Sequence, residues 1–143
     1  MRTVRQLLES KGPEVHAIGP DAAVIDAIRR MAEKGIGALV VLDPGGALAG
    51  VVSERDYARK IVLAGRSSRD TAVREIMSTD VVTVRLDDQA EACMHLVTDR
   101  RIRHLPVVED GRVVGVVSIG DLVKAVIEEQ QLELEQLQRY ITS

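Results

Sequence analysis

The chain repeats itself, and that constrains its fold more than any other feature of the sequence. Residues 18–45 return as 84–111 at a shift of 66, and after one extra residue at Gly46, residues 47–61 return as 112–126 at a shift of 65. The identical pairs are Asp21/Asp87, Ile36/Ile102, Leu39/Leu105, Val41/Val107, Gly45/Gly111, Gly50/Gly115, Val51/Val116, Val52/Val117, Ser53/Ser118 and Asp56/Asp121. Five of them fall together as Gly-Val-Val-Ser-x-x-Asp, a clustering that argues against chance.

Both copies carry the same order of patterns. Asp21 and Asp87 are placed to open a helix whose apolar residues recur at i, i+3, i+4 and i+7: Val24, Ala27, Ile28 and Met31, then Ala90, Cys93, Met94 and Val97. Paired aliphatic runs follow, 38–42 with 48–52 and 104–108 with 113–117, separated by turn residues, which predicts two hairpins. A second helix begins at Ser53 or Ser118, and a short β segment (15–18, 81–84) precedes each first helix. The resulting β-α-β-β-α unit of about 45 residues is too small to bury both faces of its sheet alone. The expected class is therefore α/β (α+β), with two units packed sheet to sheet in pseudo-twofold symmetry. The boundaries are an N-terminal segment 1–14, a first unit 15–64, a polar link 65–76, a second unit 77–127 and an amphipathic helix 128–143.

Composition then removes functions. With 143 residues the chain falls short of the roughly 250 of a (β/α)8 barrel. It has no Phe, no Trp and two Tyr, so its hydrophobic 45% is aliphatic, and base-stacking platforms and quaternary-ammonium cages are disfavoured. The 19 basic and 22 acidic residues are scattered, which disfavours a general nucleic-acid surface and leaves a local anion site open. No run approaches 18 apolar residues and the N-terminus lacks an apolar core, so neither a membrane span nor a signal peptide is expected. The lone cysteine points to a reducing, cytoplasmic setting. Cys93 shares the apolar face of its helix, which favours a core thiol over the alternative of redox duty.

Two tandem units that each close on Gly-hydrophobic-hydrophobic-Ser-x-x-Asp resemble a pair of CBS domains, a Bateman module, over residues 15–127. The stretches Gly-Ile-Gly-Ala-Leu-Val-Val (35–41), Val-Ser-Glu-Arg-Asp-Tyr (52–57), Arg-Ile-Arg-His-Leu-Pro-Val-Val (101–108) and Val-Ser-Ile-Gly-Asp-Leu-Val-Lys (117–124) are similar to stand-alone CBS-pair proteins of bacteria and plant organelles. The resemblance implies a non-catalytic regulatory homodimer that takes AMP, ADP, ATP, NAD(H) or S-adenosylmethionine in clefts between the units and signals to a protein effector.

Ser53 and Ser118, each with an Asp three residues on, read as capping boxes. Capping is compatible with ligand binding, because a helix start also attracts phosphate. An ionised Asp repels phosphate, so the ligand role open to Asp56 and Asp121 is to accept from ribose hydroxyls. Carried over from the family, site one combines Ser53, Arg55, Asp56, Met77, Val82, Arg103, His104 and Pro106. Site two combines Lys11, His16, Gly37, Ala38, Val40, Ser118 and Asp121, with Val82 and His16 offering backbone groups to adenine. Site one carries Arg55 and Arg103, which suit phosphate oxygens, whereas site two has Gly120 and Gly37 there and only Lys11 to compensate. Arg103 and His104 also fit an exposed pair at a strand start.

An enzyme built on His16, His95 or His104 lacks a nucleophile elbow, a phosphate-binding glycine loop and metal-ligand spacing. A redox-linked interaction protein acting on thioredoxin-type or metabolic enzyme partners is the alternative reading. Residues 127, 134 and 141 are apolar and seven apart, a helical stripe expected to touch a dimer mate or to pack on its own module.

Overall fold

The computed structural model describes residues 2–12 and 14–142 and shows a mixed α+β chain with two small sheets. It divides into two compact units, one of residues 15–82 with 110–113, the other of 1–14, 83–109 and 114–143.

In the unit around 15–82, β1 (Ala17–Ile18) runs parallel to β2 (Ala38–Leu42), which pairs antiparallel with β3 (Leu48–Ser53). The β2 run matches the apolar stretch read from sequence, while the segment expected over 15–18 shortens to two residues. Helix α2 (Val24–Lys34) lays Val24, Ala27 and Met31 on the sheet and stops at Gly35, whose φ of 64° provides the left-handed C-cap. The core joins Ile18, Val24, Ala27, Met31, Leu39, Val41 and Val52 to Ile61, Val73 and Ile76. Residues 71–78, which the sequence suggests as link and start of the second unit, are thus built into this one. Val73 and Ile76 are fully buried, and Ser78 bridges Val51 of β3. Helix α3 (Glu54–Tyr57) follows Ser53 and runs into a π-helical turn over Ala58–Val62.

β4 (His104–Glu109), in the other unit, and β5 (Arg112–Ser118), which belongs to that unit from Val114 on, form a two-stranded sheet. Their link, Asp110-Gly111, has φ values of 51° and 75°, the positive pair that a two-residue hairpin turn requires. The segment expected over 81–84 is a single bridge, Val84 to Val107. Helix α1 (Val4–Lys11) and helix α4 (Ala90–Arg100) contribute Val4, Leu7, Leu8, Ala90, Cys93 and Val97 to the buried set. Helix α5 (Ile119–Thr142) runs without a break through the boundary read at 127/128, burying Leu122 and Ala125 near its start.

The helix-opening role read for Asp21 and Asp87 does not hold. The N-caps are Ala23 and Gln89, neither with a side-chain cap. Instead Asp21 pairs with Arg74 at 2.6 Å and Asp87 with Arg5 at 3.0 Å. Those arginines belong to a further repeat, Val4-Arg5 and Val73-Arg74, at a shift of 69. The backbone follows the same correspondence. Arg5 N–H donates to Leu86 O and Arg74 N–H to Pro20 O, both at 2.9 Å. The N–H groups of Ala90 and Val24 donate to Arg2 O and Thr71 O, again at 2.9 Å each. Each first helix is therefore anchored by an Arg-bearing segment. That segment comes from the N-terminus in one unit and from 71–78 in the other.

Candidate functional site

The start of each motif helix sits at the end of a strand, because Ser53 closes β3 and Ser118 closes β5. Ser53 N–H donates to Asp56 Oδ2 at 3.0 Å, and Asp56 N–H returns to Ser53 Oγ at 3.2 Å. Ser118 N–H and Asp121 N–H close the same ring at 2.8 and 3.1 Å. The capping-box reading is thus correct at both motifs. The next N–H is also used in parallel: Glu54 donates to Gly37 O at 3.0 Å and Ile119 to Arg103 O at 2.9 Å. Each motif therefore touches the strand entry of its own unit.

A lysine completes each motif, and the two come from unrelated positions. Lys11, at the end of α1, reaches Asp121 Oδ2 at 2.6 Å and Val116 O at 2.8 Å. Lys60, in the π-helical turn, reaches Asp56 Oδ1 at 3.2 Å and Ile76 O at 2.8 Å. Repeat alignment could not find Lys60, because its counterpart is Ala125. The only sequence signal was its i+4 distance from Asp56. Each lysine offsets a carboxylate that would otherwise repel a phosphorylated ligand. The lysine and the Ser118 N–H share one oxygen of Asp121, while at Asp56 they occupy different oxygens.

Burial pushes the Asp121 carboxyl up, but the Lys11 hydrogen bond and ion pair and the Ser118 hydrogen bonds outweigh it and hold it below the usual 3.8. A depressed folded-state value stabilises above the unfolded value, and that stability is lost as pH falls through the folded value. Lys11→Met removes the lysine's two lowering contributions and leaves only the Ser118 hydrogen bonds to oppose burial, so the depression should shrink. The variant is expected to be about 1 kcal/mol less stable at neutral pH, a figure discounted for solvent screening. The gap should close as pH drops below 3.8, as read by urea unfolding across that range. A pH-independent gap would show that Lys11 acts through packing alone.

The remaining candidates fall as follows. Ser53, Asp56, Met77 and Val82 are half-buried and Arg55 is exposed, all in the unit that also holds His16, Gly37, Ala38 and Val40. Met77 packs against the core, Ala38 pairs with Ser53 across the sheet, and Val40 is itself core. His16 is half-buried and its carbonyl accepts Val40 N–H at 3.2 Å, so part of the backbone capacity expected for adenine is already used. Lys11, Ser118 and Asp121 share the other unit with Arg103, His104 and Pro106. There Arg103 is exposed, His104 begins β4, and buried Pro106 accepts Val84 N–H at 3.0 Å.

Cys93 is fully buried, and burial, with Asp88 nearby, pushes its thiol up to about 11. A thiol so protonated is a poor nucleophile. A thiol-reactive dye should modify the native protein only at the rate of unfolding. Rapid stoichiometric labelling would restore the redox reading. Among the described residues no group of His, Cys, Asp or Glu is arranged to hold a metal ion, and no helix is long and apolar enough to cross a membrane.

Comparison with known proteins gives this arrangement a family. The CBS domain model matches residues 4–63 and again 73–128. The chain is 43% identical to the CBS domain-containing protein CBSX3, mitochondrial, of Arabidopsis thaliana, over 97% of this chain and 71% of that protein. A putative signal-transduction protein with CBS domains from Burkholderia ambifaria superposes with a TM-score of 0.84 at 48% identity, covering 90% of this chain and 96% of that one. CBSX2, solved in complex with AMP, superposes with a TM-score of 0.76 at 26% identity, covering 91% of this chain and 99% of that one. Both matched segments begin at an Arg-bearing leading segment and run past a Ser-x-x-Asp helix start, and the chain belongs to the CBS-domain family as a tandem pair.

Proposed function

We propose that this protein is a non-catalytic regulatory module that senses an adenosine-containing nucleotide and passes its binding to a partner protein. The observation that carries the reading is the twice-built helix start, in which a Ser-capped Asp is neutralised by a lysine. A carboxylate so placed accepts from ribose hydroxyls without repelling the phosphate. The AMP bound by the CBSX2 relative supports that ligand class. In this proposal site one draws on Ser53, Arg55, Asp56, Met77, Val82, Arg103, His104 and Pro106 and favours phosphorylated ligands such as AMP, ATP or NAD(H). Site two draws on Lys11, His16, Gly37, Ala38, Val40, Ser118 and Asp121 and holds phosphate more weakly.

Homodimerisation, a protein effector and a cytoplasmic setting belong to the same proposal. Any redox link runs through the partner, because the one thiol of this chain is buried. Mass spectrometry of small molecules released from the purified protein, followed by calorimetric titration with AMP, ATP and NADH, tests the reading. An adenosine-containing ligand should be released or should bind. Absence of binding by all three would overturn it.

A further inference from the structure

Helix α5 is 24 residues long, about 36 Å, and buries only Leu122 and Ala125. From Gln130 to its end every described residue is exposed. Yet Val123, Ile127, Leu134, Leu137 and Ile141 are 40, 48, 59, 57 and 74% exposed. They follow one another at steps of four, seven, three and four, and Gln130 fills the place the seven-residue step leaves open. That is one heptad stripe, with Ile127, Leu134 and Ile141 on its first line and Val123, Gln130 and Leu137 on its second.

We propose that this stripe pairs with the same stripe of a second copy of the chain, as a parallel, in-register two-helix seam. Three features select an identical partner. The residues flanking the exposed part of the stripe are Gln131, Glu133, Gln138 and Tyr140, with one charge among them. Two copies in parallel register set Glu133 against Gln138, so no like charges meet. The acids Glu128, Glu129 and Glu135 lie off the seam, so an oppositely charged partner gains little there. Gln130 is a polar residue in an apolar line, and in parallel register its own copy supplies a hydrogen-bonding partner at the same level. The stripe exposes roughly 500 Å² per chain, so a pair buries on the order of 1,000 Å², the lower limit for a specific interface.

The inference rests on the homodimerisation in the proposed function, to which it assigns a surface and a register, and stands without nucleotide sensing. The test is the solution mass of the full chain, by light scattering at micromolar concentration. The wild type should be a dimer. The double variant Leu134→Glu/Leu137→Glu changes only exposed positions, and its dimer should weaken by about 100-fold. Leu132→Glu, exposed but off the stripe, should remain dimeric. A monomeric wild type, or a seam variant that dimerises as well as Leu132→Glu, would overturn the proposal. Gln130→Cys should form an interchain disulfide under mild oxidation. Its failure to do so in a dimer would overturn the parallel register.

Discussion

Gly50→Ala should lower stability by about 3 kcal/mol, a fall in Tm on the order of 10 °C, whereas Gly115→Ala at the equivalent position should cost about 1 kcal/mol. Both glycines occupy the same place in Gly-Val-Val-Ser-x-x-Asp, and neither has the positive φ that would itself forbid a side chain. They differ in what a methyl group would strike. At Gly50 it would lie 2.6 Å from Ser78 O and 2.9 Å from the Met77 sulfur. The Ser78 carbonyl cannot retreat, since it accepts Val51 N–H at 3.0 Å while Ser78 N–H donates to Val51 O at 2.9 Å. At Gly115 the methyl would lie 2.6 and 2.7 Å from the two Leu8 methyl carbons, the end of a side chain that can turn. Ordinarily Gly→Ala stabilises slightly by restricting the unfolded chain, so a large loss reports the clash. Urea unfolding of the two variants decides the matter, and equal losses would mean that 77–78 yields as readily as Leu8.

The same contacts explain what the sequence could reveal. Strand β2 and both motif helix starts were legible because each rests on local chemistry, aliphatic runs of the right length and a Ser with an Asp three residues on. Asp21 and Asp87 looked like caps for the same local reason, since each precedes a helix by three residues. Their partners, Arg74 and Arg5, are 53 and 82 residues away. The Arg-bearing segments escaped notice because they repeat at a shift of 69, three residues off the main register, and carry no glycine motif. The lysines are a harder case. Lys11 and Lys60 make the same kind of contact from places that do not align. Lys11 is named through the family resemblance, whereas Lys60, with Ala125 as its repeat counterpart, is missed. The boundary read at 127/128 falls inside α5, at the point where the second CBS match ends at residue 128. The first turns of α5 bury one face in the unit and its later turns bury nothing, yet one backbone helix carries both.

Asp56→Ala and Asp121→Ala should each weaken AMP binding at their own site by about 10- to 100-fold, the worth of charge-assisted hydrogen bonds from a ribose diol. Such a loss alone is ambiguous, because each Asp also closes a capping ring and holds a lysine. Titrating the same variants with 2′-deoxy-AMP separates the two roles. If the carboxylate accepts from the ribose, removing the 2′-hydroxyl should weaken binding to the wild type and weaken it much less in the Asp→Ala variants, a coupling of the kind a double-mutant cycle isolates. If the Asp only caps its helix, the deoxy ligand should lose the same factor in every variant. The coupling should be the larger at Asp121. There the lysine and the Ser118 N–H crowd one oxygen, while at Asp56 Lys60 already claims the oxygen that Ser53 leaves. Lys60→Met therefore gives a third arm. It should raise the affinity of site one for adenosine, which has no phosphate for the lysine to attract, without the same gain for AMP. An unchanged adenosine affinity in Lys60→Met would show that the lysine does not compete with ribose for Asp56.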